Sequence, residues 1–231
     1  MMARATLDRK IKNLTDDILI LNSMVEKATL DSVDALKRRD LEKAREVYEF
    51  DQKINEKRFE LENDTMITIA TQQPIMGGDL RLLASILEVT GELERMGDYA
   101  KGIAHITLML GSQPPVKPFV DIPRMAEIAI EMLHDAVGAF VAKDAKTAQK
   151  IPERDDEVDE LYNQVYRELV AIMISDPSTI DRANFLMWAA HNLERMADRV
   201  TNICERTIYV ASGYMEEMDA SDDEAIPKTP G

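Results

Sequence analysis

The chain has 231 residues, of which 45% are hydrophobic and 31% charged, and it contains only 9 glycines and 9 prolines. That length allows one or two domains, and the composition excludes collagen-like and low-complexity chains. With 28 Lys and Arg against 43 Asp and Glu, the net charge is −15. An acidic surface repels phosphate backbones and anionic lipid headgroups, so we expect neither nucleic-acid binding nor direct membrane insertion.

The predicted compartment is cytoplasmic. The sequence has a single cysteine, Cys204, which excludes an intrachain disulfide, and the N-terminus lacks the apolar segment of a secretory signal peptide. Every apolar stretch is interrupted by charged residues before it reaches the ~18 residues of a membrane span. These features together favour a reducing environment.

The first half predicts three long helices, because aromatic residues make up only 5% of the chain and helix-forming residues predominate. The first helix runs to about residue 37, and the second runs from a charged corner at residues 37–40 to about residue 73. Asp79 is a suitable N-cap for a third helix that ends near residue 110. Apolar residues in the first helix alternate in steps of four and three, which is typical of a bundle: Leu7, Ile11, Leu14, Ile18, Leu21, Val25 and Ala28.

Four prolines between residues 111 and 123 predict a stiff linker, and the helical pattern then restarts. We expect three more helices, ending near residues 143, 174 and 212. The predicted fold is all-α, with two tandem, pseudo-symmetric three-helix bundles. The predicted domains are residues 1–112 and 123–213, joined by a Pro-rich linker, 113–122, and followed by an acidic tail, 214–231, that we expect to be disordered.

An internal repeat supports the two-bundle organisation. Residues 93–98 read Leu-Glu-Arg-Met-Gly-Asp, and residues 193–198 read Leu-Glu-Arg-Met-Ala-Asp. A weaker echo relates residues 51–55 to residues 155–159, in the middle helix of each half. A repeat of this length indicates that one supersecondary unit occurs twice.

The repeated motif carries two acidic residues four positions apart, which places both carboxylates on one helix face. Such carboxylates repel each other, and a multivalent cation would neutralise them. The middle helices carry the same spacing of acidic or amide residues. An all-oxygen set favours Fe(III), manganese, magnesium or calcium over structural zinc. The candidate metal ligands are Asp51, Asn55, Glu94, Asp98, Asp155, Asp159, Glu194 and Asp198.

Two other interpretations remain open from the residues alone. Acidic pairs are common on charged helices, so the chain could be a metal-free helical scaffold. An iron-storage or di-iron carboxylate protein is the other alternative, but such a site needs Glu-x-x-His on two helices, and only Glu131 with His134 matches. We find no phosphate-binding loop, nucleophile elbow or Ser–His–Asp arrangement, so we expect no enzyme.

The chain resembles the PhoU family of phosphate-transport accessory proteins over roughly residues 5–213. The resemblance rests on Gln73 and Pro74, on residues 79–81 and 92–98, and on residues 192–198 with 201–205. It implies two three-helix bundles whose Glu-x-x-x-Asp motifs hold multinuclear metal clusters at the bundle surface. Those motifs fall on Glu94 with Asp98 and on Glu194 with Asp198, and the middle helices supply the complement, Asp51, Asn55, Asp155 and Asp159. Asn55 weakens the first site because it removes one negative charge.

The resemblance also implies a function. Members restrain phosphate uptake and the phosphate-starvation response when phosphate is plentiful. They link the ATP-binding subunit of a phosphate ABC transporter to the sensor histidine kinase of a two-component system, and they commonly form homodimers. By this resemblance we expect a cluster in which iron is the leading metal, with zinc, manganese or magnesium as alternatives.

Overall fold

The computed structural model describes residues 2–215, 217 and 218, and the part of the chain that it describes is helical. The prediction of an all-α fold is therefore confirmed. Most of the predicted acidic tail, residues 216 and 219–231, lies outside the described residues. The α-helices are α1 Met2–Arg38, α2 Leu41–Thr71, α3 Gly77–Leu110, α4 Asp121–Ala142, α5 Ala145–Ala148, α6 Asp155–Ser175 and α7 Ile180–Ser212, with short 3-10 helices at Ile151–Arg154 and Pro177–Thr179.

The helices form two bundles that share one hydrophobic core. In the first half, α1, α2 and α3 pack on one another, and in the second half α4, α6 and α7 do so. The halves meet where α3 packs on α7 and α1 on α4. The apolar series of α1 points into this core, since six of its seven residues are buried and Ile11 is half-buried. Among the described residues, α2 and α6 pack only on elements of their own half, so they lie at the two outer edges of the molecule.

Each half turns its first corner in the same way. Arg39 and Lys143 adopt left-handed backbone conformations, with φ of 58° and 56°. The next residue is an aspartate in both corners, and its carboxylate caps the following helix. Asp40 accepts from the backbone N–H of Lys43, and Asp144 accepts from those of Lys146 and Thr147. A side-chain oxygen at this position satisfies N–H groups that the first helical turn leaves unpaired.

Two details differ from the predicted helices. The helix expected between residues 144 and 174 is interrupted, because α5 stops after one turn and Pro152 lies in a 3-10 helix before α6. Proline has no backbone N–H to continue a helical hydrogen-bond ladder. The prediction that Asp79 caps α3 is wrong, since Met76 occupies the N-cap position. Asp79 instead lies in the first turn, where its carboxylate pairs with Arg4.

Among the described residues, no helix is both long and apolar enough to cross a membrane.

Candidate metal centres

The four candidate ligands of the first half lie together where α2 packs on α3. The ammonium Nζ of Lys101 lies 2.6 Å from Asp51 Oδ2 and 4.0 Å from Asp98 Oδ1. Asn55 Nδ2 donates to Asp51 Oδ2 at 3.1 Å. Arg58 Nη1 lies 2.8 Å from Glu94 Oε1. The first quartet thus converges in space, but two cationic side chains of the same bundle already contact its three carboxylates.

The pKa values of the side chains at the first quartet reflect these contacts. Hydrogen bonding to Asp51 raises the pKa of Lys101, and contacts with Glu62 and Glu94 raise the pKa of Arg58. Burial raises the pKa of Asp98, and repulsion from Asp51 adds to the effect. Lys101 and Arg58 oppose the three carboxylates of the quartet, and Arg58 is shared with Glu62. This centre is partly neutralised by its own protein.

The second quartet lies where α6 packs on α7. Burial raises the pKa of Asp155 to about 7, and repulsion from Asp198, Asp159 and Glu194 adds to the shift. Asp155 Oδ1 is buried and has no hydrogen-bond partner among the described residues. A buried polar oxygen without a partner carries a free-energy cost, so this atom calls for an explanation.

A histidine stands beside the second quartet. His191 Nδ1 lies 2.9 Å from Glu194 Oε2, and the imidazole ring lies 6.0 Å from the ring of Tyr162, centroid to centroid. Burial and repulsion from Arg195 lower the pKa of His191. The second quartet therefore has an imidazole at its edge that the first quartet lacks, because the counterpart of His191 is Gly91.

The two centres differ at three corresponding positions. Helices α2 and α6 align with an offset of 104 residues, whereas α3 and α7 align with an offset of 100. Arg58 then corresponds to Tyr162, Lys101 to Thr201, and Asn55 to Asp159. The second half has lost both cations and gained one carboxylate. The sequence already pointed to Asn55, but it did not show that Arg58 and Lys101 reach the acidic residues.

The two centres therefore fit a metal ion unequally. Among the described residues, no group of three or more His, Cys, Asp or Glu side chains stands ready to hold a metal ion. A cation at the first quartet would have to displace Lys101 and Arg58. At the second quartet it would meet four carboxylates, the chemistry that hard cations prefer, and it would give Asp155 Oδ1 a partner. Small side-chain rotations would be needed to close the coordination shell.

Gly97 lets α2 approach α3 beside the first quartet. A Cβ atom added at Gly97 would lie 3.1 Å from Ile54, in the turn that carries Asp51 and Asn55. The second copy has Ala197 at this position, and it is fully buried. The contact with Ile54 therefore explains the small residue at this position by the close packing of the neighbouring helix.

Between the two centres, residues of α3 and α7 form a polar seam that the sequence did not predict. The ring of Tyr99 lies under the guanidinium groups of Arg195 and Arg199, at 5.1 and 5.8 Å. Arg199 also donates to Tyr99 Oη at 2.8 Å and to Glu92 Oε2 at 2.9 Å. Tyr99 and Arg199 occupy the same position in the first and second repeat, so this contact is made between two equivalent positions.

Cys204 belongs to the hydrophobic core. Its side chain is fully buried, and burial raises the pKa of the thiol to about 12. A thiol with so high a pKa is a poor nucleophile and a poor metal ligand at neutral pH.

A search of family models finds the PhoU domain twice in this chain, at residues 18–107 and 122–207. The two matches coincide with the two halves that the internal repeat indicates. Together they cover most of the chain, and they leave residues 108–121 between them.

Relatives with curated names extend over nearly the whole chain. A phosphate-specific transport system accessory protein PhoU homolog from Aquifex aeolicus is 37% identical over 90% of this chain and 93% of the relative. A homolog of the same name from Clostridium acetobutylicum is 32% identical over 94% of this chain and 100% of the relative. Full-length similarity at this level shows common descent and a common fold.

Two solved structures resemble the fold closely. PhoU from Pseudomonas aeruginosa has a TM-score of 0.84 and 31% identity, covering 90% of this chain and 99% of the other. The phosphate transport system regulatory protein PhoU from Streptococcus pneumoniae has a TM-score of 0.85 and 27% identity, covering 92% and 100%. This is a family of accessory and regulatory proteins, so the chain is not an enzyme, as the sequence predicted. On these matches, the chain belongs to the PhoU family of phosphate-transport accessory proteins.

Proposed function

We propose that this protein is a metal-binding regulatory adaptor of phosphate homeostasis, and that its second quartet is the principal metal site. Asp155 Oδ1 carries the proposal, because it is a buried carboxylate oxygen without a hydrogen-bond partner among the described residues. Its counterpart Asp51 also has an unpartnered Oδ1, but Lys101 already holds Asp51 through Oδ2. Three further carboxylates repel Asp155, which makes a multivalent cation the natural way to neutralise the cluster. Iron is the leading candidate for a multinuclear cluster, with manganese, magnesium or zinc as alternatives.

In the proposed role, the protein works in the cytoplasm as a homodimer. It contacts the ATP-binding subunit of a phosphate ABC transporter and the sensor histidine kinase of the phosphate two-component system, and it restrains uptake when phosphate is plentiful. Support comes from the names of the relatives, which describe accessory and regulatory proteins of phosphate transport. Two rigid bundles with long helical faces also suit an adaptor, because they offer extended surfaces for docking.

Metal content of matched variants tests the metal site. We expect Asp155→Asn with Asp198→Asn to lower the bound metal of untagged protein at least about tenfold, because the second quartet loses two of its four carboxylates. The matched control is Asp51→Asn with Asp98→Asn at the first quartet, and we expect it to change bound metal less than about twofold. Elemental analysis of purified protein gives the readout. Equal metal loss in both double variants would contradict the assignment to the second half.

Aerobic addition of ferrous iron tests the iron-storage or oxidase alternative. A regulatory site should take up iron once and in a fixed ratio to protein, whereas a storage or oxidase protein should oxidise iron with repeated turnover. Absorbance of ferric iron over time distinguishes the two results. Turnover would replace the regulatory proposal with the alternative.

Affinity capture from cells grown with and without phosphate tests the adaptor role. We expect the ATP-binding subunit and the sensor kinase to be recovered, and we expect the second-quartet double variant to recover less of at least one of them. If both partners are absent from captures under both growth conditions, the adaptor role is wrong.

A further inference from the structure

The corner between α1 and α2 holds an arginine whose donors lack acceptors. Arg39 has a left-handed backbone, and its guanidinium carbon lies 5.6 Å from the centroid of the Phe119 ring in the linker. Its Nε and Nη1 atoms are buried and have no hydrogen-bond partner among the described residues. Guanidinium groups carry a fixed positive charge and five N–H donors, so burying them without acceptors is costly.

A second arginine meets the same linker. Arg182, in the first turn of α7, donates from Nη1 to the carbonyl oxygen of Pro114 at 3.1 Å. Both arginines therefore contact residues 114–119. Burial lowers the pKa of Arg39, and repulsion from Arg182 adds to the effect, so the two positive charges lie near each other.

Acidic neighbours do not explain this arrangement. Asp40, next in the chain, uses its carboxylate to cap the N–H of Lys43. The charge of Arg182 helps to lower the pKa of Asp176, but Asp176 Oδ1 is held by the backbone and hydroxyl of Ser178. The chain has a net charge of −15, so carboxylates are plentiful. It is therefore unexpected that Arg182 donates to a neutral carbonyl and that the neighbouring Arg39 lies over an aromatic ring.

We propose that Arg39 and Arg182 form a binding site for a small tetrahedral oxyanion, such as inorganic phosphate, beneath residues 114–119. The planar fork of a guanidinium matches two oxygens of such an anion, and charged acceptors bind it more strongly than a carbonyl does. The anion would accept from Arg39 Nε and Nη1, replace the Pro114 carbonyl at Arg182, and separate the two like charges. Binding would therefore release the contact between Arg182 and Pro114 in the linker that joins the two bundles.

The site bridges the two halves, since Arg39 follows α1 and Arg182 lies in α7, and it is independent of the metal proposed above. Lys143 is the counterpart of Arg39, with the same left-handed backbone, but its side chain is exposed. It supplies a matched control, because it has the same charge at the equivalent corner.

Isothermal titration of the full-length protein with sodium phosphate at constant ionic strength tests the proposal. We expect saturable binding that Arg39→Gln and Arg182→Gln each weaken at least about tenfold, because each removes a charged donor. Lys143→Gln should change the dissociation constant less than about twofold. Binding that is absent from the wild type, or unchanged in both arginine variants, would overturn the proposal.

Further titrations identify what the site recognises. Sulfate that competes with phosphate supports a site for tetrahedral oxyanions, whereas acetate that binds as well as phosphate would show a general carboxylate contact and overturn the proposal. Circular dichroism checks that each variant folds. If Arg39→Gln does not fold, Arg39→Lys keeps the charge but removes the fork, and we expect it to weaken phosphate binding measurably. An NMR shift of the Arg39 Nε–H signal on phosphate addition would locate the contact.

Discussion

Asp155 shows how one side chain can make the stability of this protein depend on pH. Its pKa is about 7 in the folded protein, against an ordinary value of 3.8, because burial and three nearby carboxylates disfavour its charge. The folded state therefore keeps this proton to a higher pH than the unfolded state does. The resulting stabilisation is fully present below pH 4, and it is lost as the pH rises from about 4 to about 7.

Replacing Asp155 by asparagine should remove much of this pH dependence. In chelator-treated protein, we expect Asp155→Asn to raise the free energy of unfolding at pH 8 by about 1–2 kcal/mol, a figure reduced for the partial exposure of the side chain. Urea unfolding at pH 5 and pH 8 measures the effect. The exposed neighbour provides a comparison in Asp156→Asn, which should change the pH dependence far less, because its carboxylate is the smallest contributor to the raised pKa of Asp155. An unchanged slope of stability against pH in Asp155→Asn would contradict this account.

Two of the interior glycines of helix α3, Gly91 and Gly97, look alike in sequence and differ in their surroundings. A Cβ atom at Gly91 would meet no atom within 4 Å, whereas one at Gly97 would lie 3.1 Å from Ile54 on α2. Alanine favours an interior helical position over glycine by roughly 1 kcal/mol. Contact with a buried neighbour offsets that gain only at Gly97.

The two glycines therefore predict different outcomes for the same substitution. We expect Gly91→Ala to raise the free energy of unfolding by about 0.5–1 kcal/mol. Gly97→Ala should gain at least about 0.5 kcal/mol less, because Ile54 must move aside in a packed core. Chemical unfolding of both variants measures the difference. Equal gains in the free energy of unfolding would contradict the interpretation that Gly97 is needed for α2 to pack closely on α3.

At the scale of the whole molecule, Arg199 joins the two bundles through Tyr99 and Glu92. All three side chains are at least partly buried at the α3–α7 seam. We expect Arg199→Ala to lower the free energy of unfolding by about 1–3 kcal/mol, because it leaves the Glu92 carboxylate without its charged partner. Arg95→Ala on the exposed face of α3 is the control, with an expected change within about 0.5 kcal/mol. A similar loss in both variants would argue against the seam as the link between halves.

The sequence predicted the helices more completely than the polar contacts between them. Apolar residues such as Ile18 and Leu93 recur at helical spacing, and the structure buries them, because the hydrophobic effect acts on the pattern itself. The acidic motifs at Glu94 and Glu194 could also be seen, since repetition makes them stand out. The contact between Lys101 and Asp51 could not be predicted, because it depends on how two helices pack and on the conformation of a long flexible side chain, neither of which leaves a periodic signal in the sequence.

The duplicated unit has become asymmetric in how its charge is balanced. In the first copy the counterions are Arg58 and Lys101, which are covalently part of the chain. The second copy has Tyr162 and Thr201 at those positions, so neither of these two cations is repeated there. Duplication has thus kept the acidic motif in both halves, while the side chains placed against it have diverged.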